Sequence, residues 1–277
     1  MTEAQSPFAD ADADAIIIGA GISGMYQLIR LRELGMKLRV FEAGSDVGGT
    51  WYWNRYPGAR FDSESWSYGY SFSKELLQEW EWTEHFSAQP DTLRYLNFVA
   101  EKFDLRKDIT FNSRVKSAHF DDANNLWTVT LENGEQCRAP LMITGLGPLS
   151  APTLPNIPGR DSFKGRAFHT ARWPHDPVDF KGKRVGIIGT GATAVQAVPR
   201  LAEAAEELFV FQRTPAFVGY RGQAPTNEEW FKSLKPGWQG ERIKNFTRAV
   251  CGQQPEENMV ADEWTNVMWT DTTKYTE

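Results

Sequence analysis

"AIIIGAGISGMYQLIRLRELGMKLRVFEA", residues 15–43, decides how this chain is read. Ala15 to Ile18 is a short apolar run, as a strand buried on both faces requires. Gly19, Gly21 and Gly24 then complete G-x-G-x-x-G. The next stretch sets Ile22, Tyr26, Ile29 and Leu34 near one helical face, and Gly35 ends it. "LRVFEA" reads as a second strand with Glu42 at its end. Each position answers a physical need. Gly19 permits a tight turn, Gly21 lets the backbone approach a pyrophosphate, and Gly24 lets the helix pack closely on the sheet. The helix N-terminus faces phosphates, and Glu42 accepts hydrogen bonds from a ribose. The glycines alone are weak evidence; with the strand before, the helix after and the acid at this distance they define a dinucleotide-binding βαβ unit.

The same architecture recurs in "KRVGIIGTGATAVQAVPRLAEAAEELFVFQRT", residues 183–214. Val185 to Ile188 is the strand, and Gly189, Gly191 and Ala194 form G-x-G-x-x-A around Thr190, Ala192 and Thr193. The helix is expected to reach about Ala205, with a local distortion at Pro199. Aligning the two units by their first glycines puts Gln212 where Glu42 stands, with Arg213 and Thr214 next. The ribose-binding acid is gone, and a guanidinium that pairs with a 2′-phosphate follows it, so this second turn reads as an NADPH site.

The chain has 277 residues, enough for roughly two domains. It is 41% hydrophobic and 24% charged, with a net charge of −6, which gives no electrostatic case for nucleic acid or an anionic membrane. No apolar run approaches the ~20 residues that span a bilayer. Residues 1–14 are acidic, lack an apolar core and read as a disordered lead, not a signal peptide. Cys137 and Cys251 are too few and too scattered for a disulfide framework or a zinc site; no metal is expected, both read as packing residues, and a reducing cytoplasm is the fitting compartment. The sequence also lacks C-x-x-C, so no redox-active dithiol is expected.

Between the turns, helix is expected from about Pro90, with Leu93, Leu96, Phe98, Val99 and Phe103 as its apolar positions. "ITFNSRVKSAHF", "LWTVTLENG" and "EQCRAPLMITGLG" read as strands of a small β-meander, with a hairpin turn at Asn133-Gly134. His85 and His119 read as surface or capping residues, and the proline-rich "LSAPTLPNIPGRDSF" as a stiff connector. The domain plan is a first dinucleotide domain at 15–150, a linker at 151–180 and a second domain at 181–277. The fold class is α/β, with two Rossmann-like FAD/NAD(P)-binding domains and a β-meander.

"GSDVGGTWYWNRYPGARFDSES" continues the first unit with Gly48, Gly49, Thr50 and Trp51, the second glycine patch of two-dinucleotide flavoproteins, which points to FAD at the first turn. "FKGRAFHTARWPH" fits F-x-G-x-x-x-H-x-x-x-W-P through Phe163, Gly165, His169, Trp173 and Pro174. From about Ala15 to Phe217 the chain resembles the Baeyer–Villiger monooxygenases, class B flavoprotein monooxygenases of the cyclohexanone and phenylacetone monooxygenase type. N- and S-oxidising flavin monooxygenases are similar but usually lack the Trp-Pro ending, and they are the alternative. The resemblance implies an FAD- and NADPH-dependent conversion of ketones to esters or lactones with O2, through a C4a-peroxyflavin. It also implies FAD contacts from Tyr68 and Val115, an NADP contact from Arg60, and an Asp62 that touches FAD and supports a catalytic arginine. That arginine has no match in this chain. His169 is implied to link cofactor binding to domain position, not to transfer protons. Family members are about twice as long. The chain is therefore expected to be a fragment that binds nucleotide, with the apolar residues of its Trp-rich end, Trp230, Trp238, Trp264 and Trp269, forming helical core or interface.

Overall fold

In the computed structural model, residues 10–215, 218–253, 255–260, 262 and 265 are described. The chain runs β1 (Ala15–Ile18), α1 (Ile22–Glu33), β2 (Leu38–Phe41), α2 (Thr50–Trp53), α3 (Lys74–Glu79) and α4 (Gln89–Lys102). The strands β3 (Ile109–Thr110), β4 (Val115–Asp121), β5 (Leu126–Leu131), β6 (Gln136–Ala139) and β7 (Leu141–Thr144) follow. The remainder holds β8 (Arg184–Ile188), α5 (Ala192–Ala204), β9 (Glu207–Phe211), α6 (Glu228–Ser233) and α7 (Trp238–Val250). Two units result: Met1–Arg55 with Leu93–His175, and Tyr56–Thr92 with Asp176–Glu277. Residues 56–92 thus leave the first domain expected from sequence. The cause is local bonding: the Tyr56 hydroxyl donates to Gln196 Oε1 at 2.8 Å, and the His85 N–H donates to the Ala224 carbonyl at 2.9 Å.

The first unit is built on a parallel sheet of order β3-β2-β1-β7, with Ala15 paired to both Leu38 and Leu141. All four residues of β1 are buried, as its central place demands. Strand alternation sends Ile16 and Ile18 to one face, where they pack with Phe41 of β2 and with Val129, Leu131, Cys137 and Ala139 of the antiparallel β4-β5-β6 meander. Burial of each of the larger side chains, Ile16, Ile18, Phe41, Val129 and Leu131, is worth about 2 kcal/mol. Burial also pushes the Cys137 thiol above its ordinary pKa. The other face of the sheet takes α1, whose buried stripe is Gly24, Met25, Leu28 and Ile29. This corrects the expected face, since Leu34 lies past the helix end and is 75% exposed. Gly35 ends the helix at φ +75°, donating to the Arg32 carbonyl at 2.9 Å.

The expected hairpin forms at Asn133-Gly134. Gly134, at φ +88°, donates to the Leu131 carbonyl, and Leu131 donates to Glu135, which makes a three-residue loop. The stretch read as "EQCRAPLMITGLG" divides at Pro140. β6 pairs antiparallel with β5, and β7 pairs parallel with β1. A residue without an N–H is suited to the point where a chain leaves one sheet for another. The lead was expected to stay disordered to residue 14, yet Asp12 donates and accepts through Arg138, and Asp14 does so through Lys37. In α4, Leu96 and Val99 are buried as expected, joined by Tyr95 and Ala100.

In the second unit β8 and β9 form a two-stranded parallel pair, and α5 runs unbroken through Pro199. Ile188 and Phe211 are 68% and 58% exposed on this pair. Helix α7 lies against the single turn Ser65–Ser67. There Glu64, fully buried, accepts two bonds from Arg242 at 2.5 and 2.7 Å, and the Arg242 guanidinium sits over the Trp66 and Trp230 rings. Trp230 also meets Trp238, so these two tryptophans form a helical aromatic cluster as expected. Trp264, Trp269, Phe217 and the first nine residues lie outside the described residues. His85, read as a surface or capping residue, is half-buried and stacks on Trp66 at 5.1 Å, and Cys251 is exposed, not packed as expected. His119 is exposed. Among the described residues no helix is long and apolar enough to cross a membrane, and no group of three His, Cys, Asp or Glu could hold a metal.

Candidate nucleotide sites

The first glycine turn is closed by the protein's own backbone. Gly19 sits at φ +100°, and a Cβ there would lie 2.7 Å from the Gly145 carbonyl oxygen. A Cβ on Gly24 would lie 1.8 Å from the Gly19 oxygen, so this glycine sets the approach of α1 to the sheet. Gly21 faces Gly49, whose Cα would stand 3.3 Å from a Gly21 Cβ. Two bare backbones therefore bound a cleft of about 210 Å3 that reaches Glu42, Thr50, Val115 and Gly145. Trp51 is buried behind it. Glu42 is buried too, and its carboxylate is fixed from both sides: Ala20 N–H donates to Oε2 at 2.7 Å and Gly44 N–H to Oε1 at 2.6 Å. A carboxylate has about four acceptor positions, so capacity remains for a diol.

The fingerprint segment reaches this cleft through Arg172. His169 is half-buried and caps a short turn, Thr170–Arg172, its Nδ1 accepting the Ala171 N–H at 3.1 Å. Trp173 packs at 5.4 Å against Phe168. Phe163 folds back over Gly165, where a Cβ would come within 2.6 Å of its ring, which accounts for the F-x-G spacing. Sequence reasoning passed over Arg172 within the same motif. Its guanidinium lines the cleft, donates to the Ser150 carbonyl at 2.6 Å and lies 4.6 Å from the Trp53 ring.

The second turn repeats the backbone without the enclosure. Gly189 is at φ +103° and Gly191 precedes α5, but among the described residues a Cβ on either would meet nothing within 4 Å. Ala194 is buried against the strands, as the third motif position requires. Ala192 and Thr193 form the first turn of α5, which has no side-chain cap and so presents free N–H groups. Gln212 Nε2 donates to the Thr190 hydroxyl at 2.9 Å, tying the strand end to the turn, and the Thr190 hydroxyl reaches the Thr214 carbonyl at 3.5 Å. Arg213 is exposed and makes no ion pair among the described residues.

Asp62, Tyr68 and Arg60 also belong to the second unit. Tyr68 stacks on Phe61 at 4.2 Å. Arg60 pairs with Glu84 at 3.2 Å and donates to the Phe86 carbonyl. Asp62 accepts from Gln196 Nε2 at 3.1 Å and pairs with Arg221 at 3.3 Å. An arginine thus stands beside Asp62, although the sequence offered none by motif. Burial pulls the Arg221 pKa down, partly offset by Asp62. Tyr56, Gln196 and Arg221 carry no spacing signal, because residues 56–62 meet residues 196–221 only in the fold.

Two glycine turns with unlike strand ends, each on a parallel strand pair, define a two-dinucleotide α/β protein. The sequence profile of the flavin-binding monooxygenase-like family matches residues 13–225, and the chain belongs to that family. It is 51% identical over 228 residues to 2-oxo-Delta(3)-4,5,5-trimethylcyclopentenylacetyl-CoA monooxygenase of Pseudomonas putida, covering 80% of this chain and 42% of that one. It is 50% identical to cyclohexanone 1,2-monooxygenase of Acinetobacter sp, covering 82% and 42%. A crystal structure of OTEMO in complex with FAD and NADP superposes with a TM-score of 0.79 at 48% identity, over 87% of this chain and 45% of that one. The chain spans less than half the length of these relatives.

Proposed function

We propose that this chain carries the FAD and NADPH sites of a Baeyer–Villiger monooxygenase, which converts ketones to esters or lactones with O2. The observation that carries the reading is a Trp-Pro-ended fingerprint set between two glycine turns of opposite strand-end charge, Glu42 in one and Gln212-Arg213 in the other. The similarity to cyclohexanone 1,2-monooxygenase supports it. The residues of the first turn fit a dinucleotide. Glycine at 19, 21 and 49 leaves backbone bare where a diphosphate would lie, and the buried carboxylate keeps acceptor capacity at the ribose position.

When bound, NADPH supplies a hydride, and FAD the electrons that activate O2 for insertion beside the ketone carbonyl. This chain's residues bind and orient. Gly19, Gly21, Gly49 and Thr50 hold the FAD diphosphate, with Gly24 and Trp51 fixing the turn from behind. Glu42 would orient the ribose and Val115 would contact the nucleotide in the same cleft, and Tyr68 is a further FAD contact that the family resemblance implies. Gly189, Thr190, Gly191, Ala192, Thr193 and Ala194 take the NADP diphosphate through backbone N–H groups. Arg213 and Thr214 receive the 2′-phosphate, and Arg60 assists. Asp62 would support a catalytic cation and here pairs with Arg221, His169 positions the fingerprint turn, and Trp173 packs it. The substrate is a small ketone, and a cytoplasmic setting agrees with the free Cys137 and Cys251.

The test incubates the chain, and any longer protein that carries it, with FAD, NADPH, O2 and a panel of cyclic and aryl ketones. Esters and hydrogen peroxide are measured side by side. Ester or lactone from either supports the reading, whereas oxidation confined to amines and sulfides moves it to the N/S-oxidising alternative. Peroxide without ester from the present chain identifies a nucleotide-binding portion that does not complete the reaction.

A further inference from the structure

The first-unit cleft holds a cation to which the reading above gives no task. Arg172 ends the turn that His169 caps, and its own N–H donates to the His169 carbonyl at 2.8 Å. A guanidinium has five N–H donors. Nη1 uses one on the Ala171 carbonyl at 2.7 Å, and Nη2 uses one on the Ser150 carbonyl at 2.6 Å. Three donors remain, and Arg172 has no carboxylate partner among the described residues. One face of the group lies 4.6 Å from Trp53. Trp53 ends α2, whose cap Gly49 is the residue pressed on Gly21. A held, unneutralised charge therefore stands one short helix away from the glycines that a diphosphate approaches.

The rest of the cleft is complementary. Its one carboxylate, Glu42, already accepts two backbone N–H groups and does not neutralise Arg172. A second cation, Arg114, also lines the cleft, and it is held by Glu132 only at 3.8 Å with both groups about half exposed. Burial and the charge of Arg114 both lower the Arg172 pKa, so cation stands by cation without an anion between them.

We propose that Arg172 binds the diphosphate of the dinucleotide in the first-unit cleft, so that the fingerprint segment contributes directly to cofactor affinity; this rests on the flavin reading of that cleft. The His169 cap then gains a specific task, to hold the turn that aims Arg172.

The probes are FAD, ADP and adenosine, titrated calorimetrically into the wild-type chain, Arg172→Met and Arg172→Lys. Loss of a charge-assisted contact should weaken FAD and ADP about tenfold in Arg172→Met. Adenosine, which has no phosphate, should bind unchanged, and Arg172→Lys should recover part of the ADP affinity. Equal ADP binding by wild type and Arg172→Met overturns the proposal. So does an equal loss for adenosine, which would make Arg172 a strap on Ser150 and nothing more. Thermal melts separate these results from unfolding. Should Arg172→Met melt early, Arg172→Gln, which keeps a donor for the Ser150 carbonyl but no charge, carries the same comparison. Wild-type chain that binds none of the three probes refutes the flavin reading itself and this inference with it.

Discussion

Gly19 and Gly189 open their turns at nearly the same φ, +100° and +103°, yet they serve different masters. Around Gly19 the space a side chain would need is filled by the Gly145 carbonyl, and around Gly24 by the Gly19 carbonyl. Around Gly189 and Gly191 it is open. The first turn demands glycine because the protein packs its own backbone there. Among the described residues the second has no such neighbour at Gly191, which leaves room there for a ligand. One motif in sequence thus reports two different constraints.

The largest expected effect attacks the third position. Gly24→Ala places a methyl 1.8 Å from a backbone oxygen and should cost about 3 kcal/mol or prevent folding of the first unit. The reciprocal change, Ala194→Gly, loses mainly helix propensity, about 1 kcal/mol. Urea unfolding of both variants checks the contrast, and equal losses would break it.

Next in size is the strand end. Arg213→Ala should weaken NADPH about ten- to a hundredfold and leave NADH unchanged, because only the former carries a 2′-phosphate. Binding titrations with both cofactors decide; equal loss would remove the 2′-phosphate assignment. A subtler pair concerns the middle glycines, both of which have φ values open to alanine, −80° and −76°. Gly191→Ala should leave stability within about 0.5 kcal/mol of wild type while weakening NADPH. Gly21→Ala, squeezed against Gly49, should lose both stability and FAD affinity. A melt and a titration on each variant separate packing from ligand.

The smallest effect asks what steadies the second turn in place of packed glycines. Tyr56 holds Gln196 on α5, and burial raises its pKa above the ordinary 10.0, a rise that the Thr193 hydrogen bond moderates. The unfolded phenol ionises first as pH rises, so the Tyr56 contribution is whole below pH 10 and is lost as pH climbs through the raised folded value. Between pH 10 and that raised value the stability of wild type should fall more steeply than that of Tyr56→Phe, read from denaturation midpoints at successive alkaline pH values.

Local pattern carried much of this structure. The strand-glycine-helix succession at 15–33 and 185–204, the helix over Gln89–Lys102 and the hairpin at Asn133-Gly134 all follow from periodicity and turn chemistry confined to short windows. What escaped was set by distance along the chain. The partition of residues 56–92 depends on Tyr56 and Arg60 meeting Gln196, and Asp62 meeting Arg221. The buried face of α1 was misjudged at Leu34 because a helix end, not its period, decides that residue's exposure. Arg172 carries no signal of its own within the motif, because its neighbours Ser150 and Trp53 are remote in sequence.

Pro140 leaves a mark on how the first unit is assembled. β1 gains β2 within one βαβ turn, but its other edge waits for β7, with the whole meander between them in the chain. As the chain emerges during synthesis, β1 is an open apolar edge until residue 144 has been made. Because β6 and β7 meet at one proline, the β5–β6 register fixes where β7 can dock and therefore where Gly145 lands on Gly19. Closing a loop of this length is slow relative to hairpin formation. Formation of the nucleotide cleft should therefore lag the meander, and pulse-labelled hydrogen exchange should find β5 and β6 amides protected before those of β7.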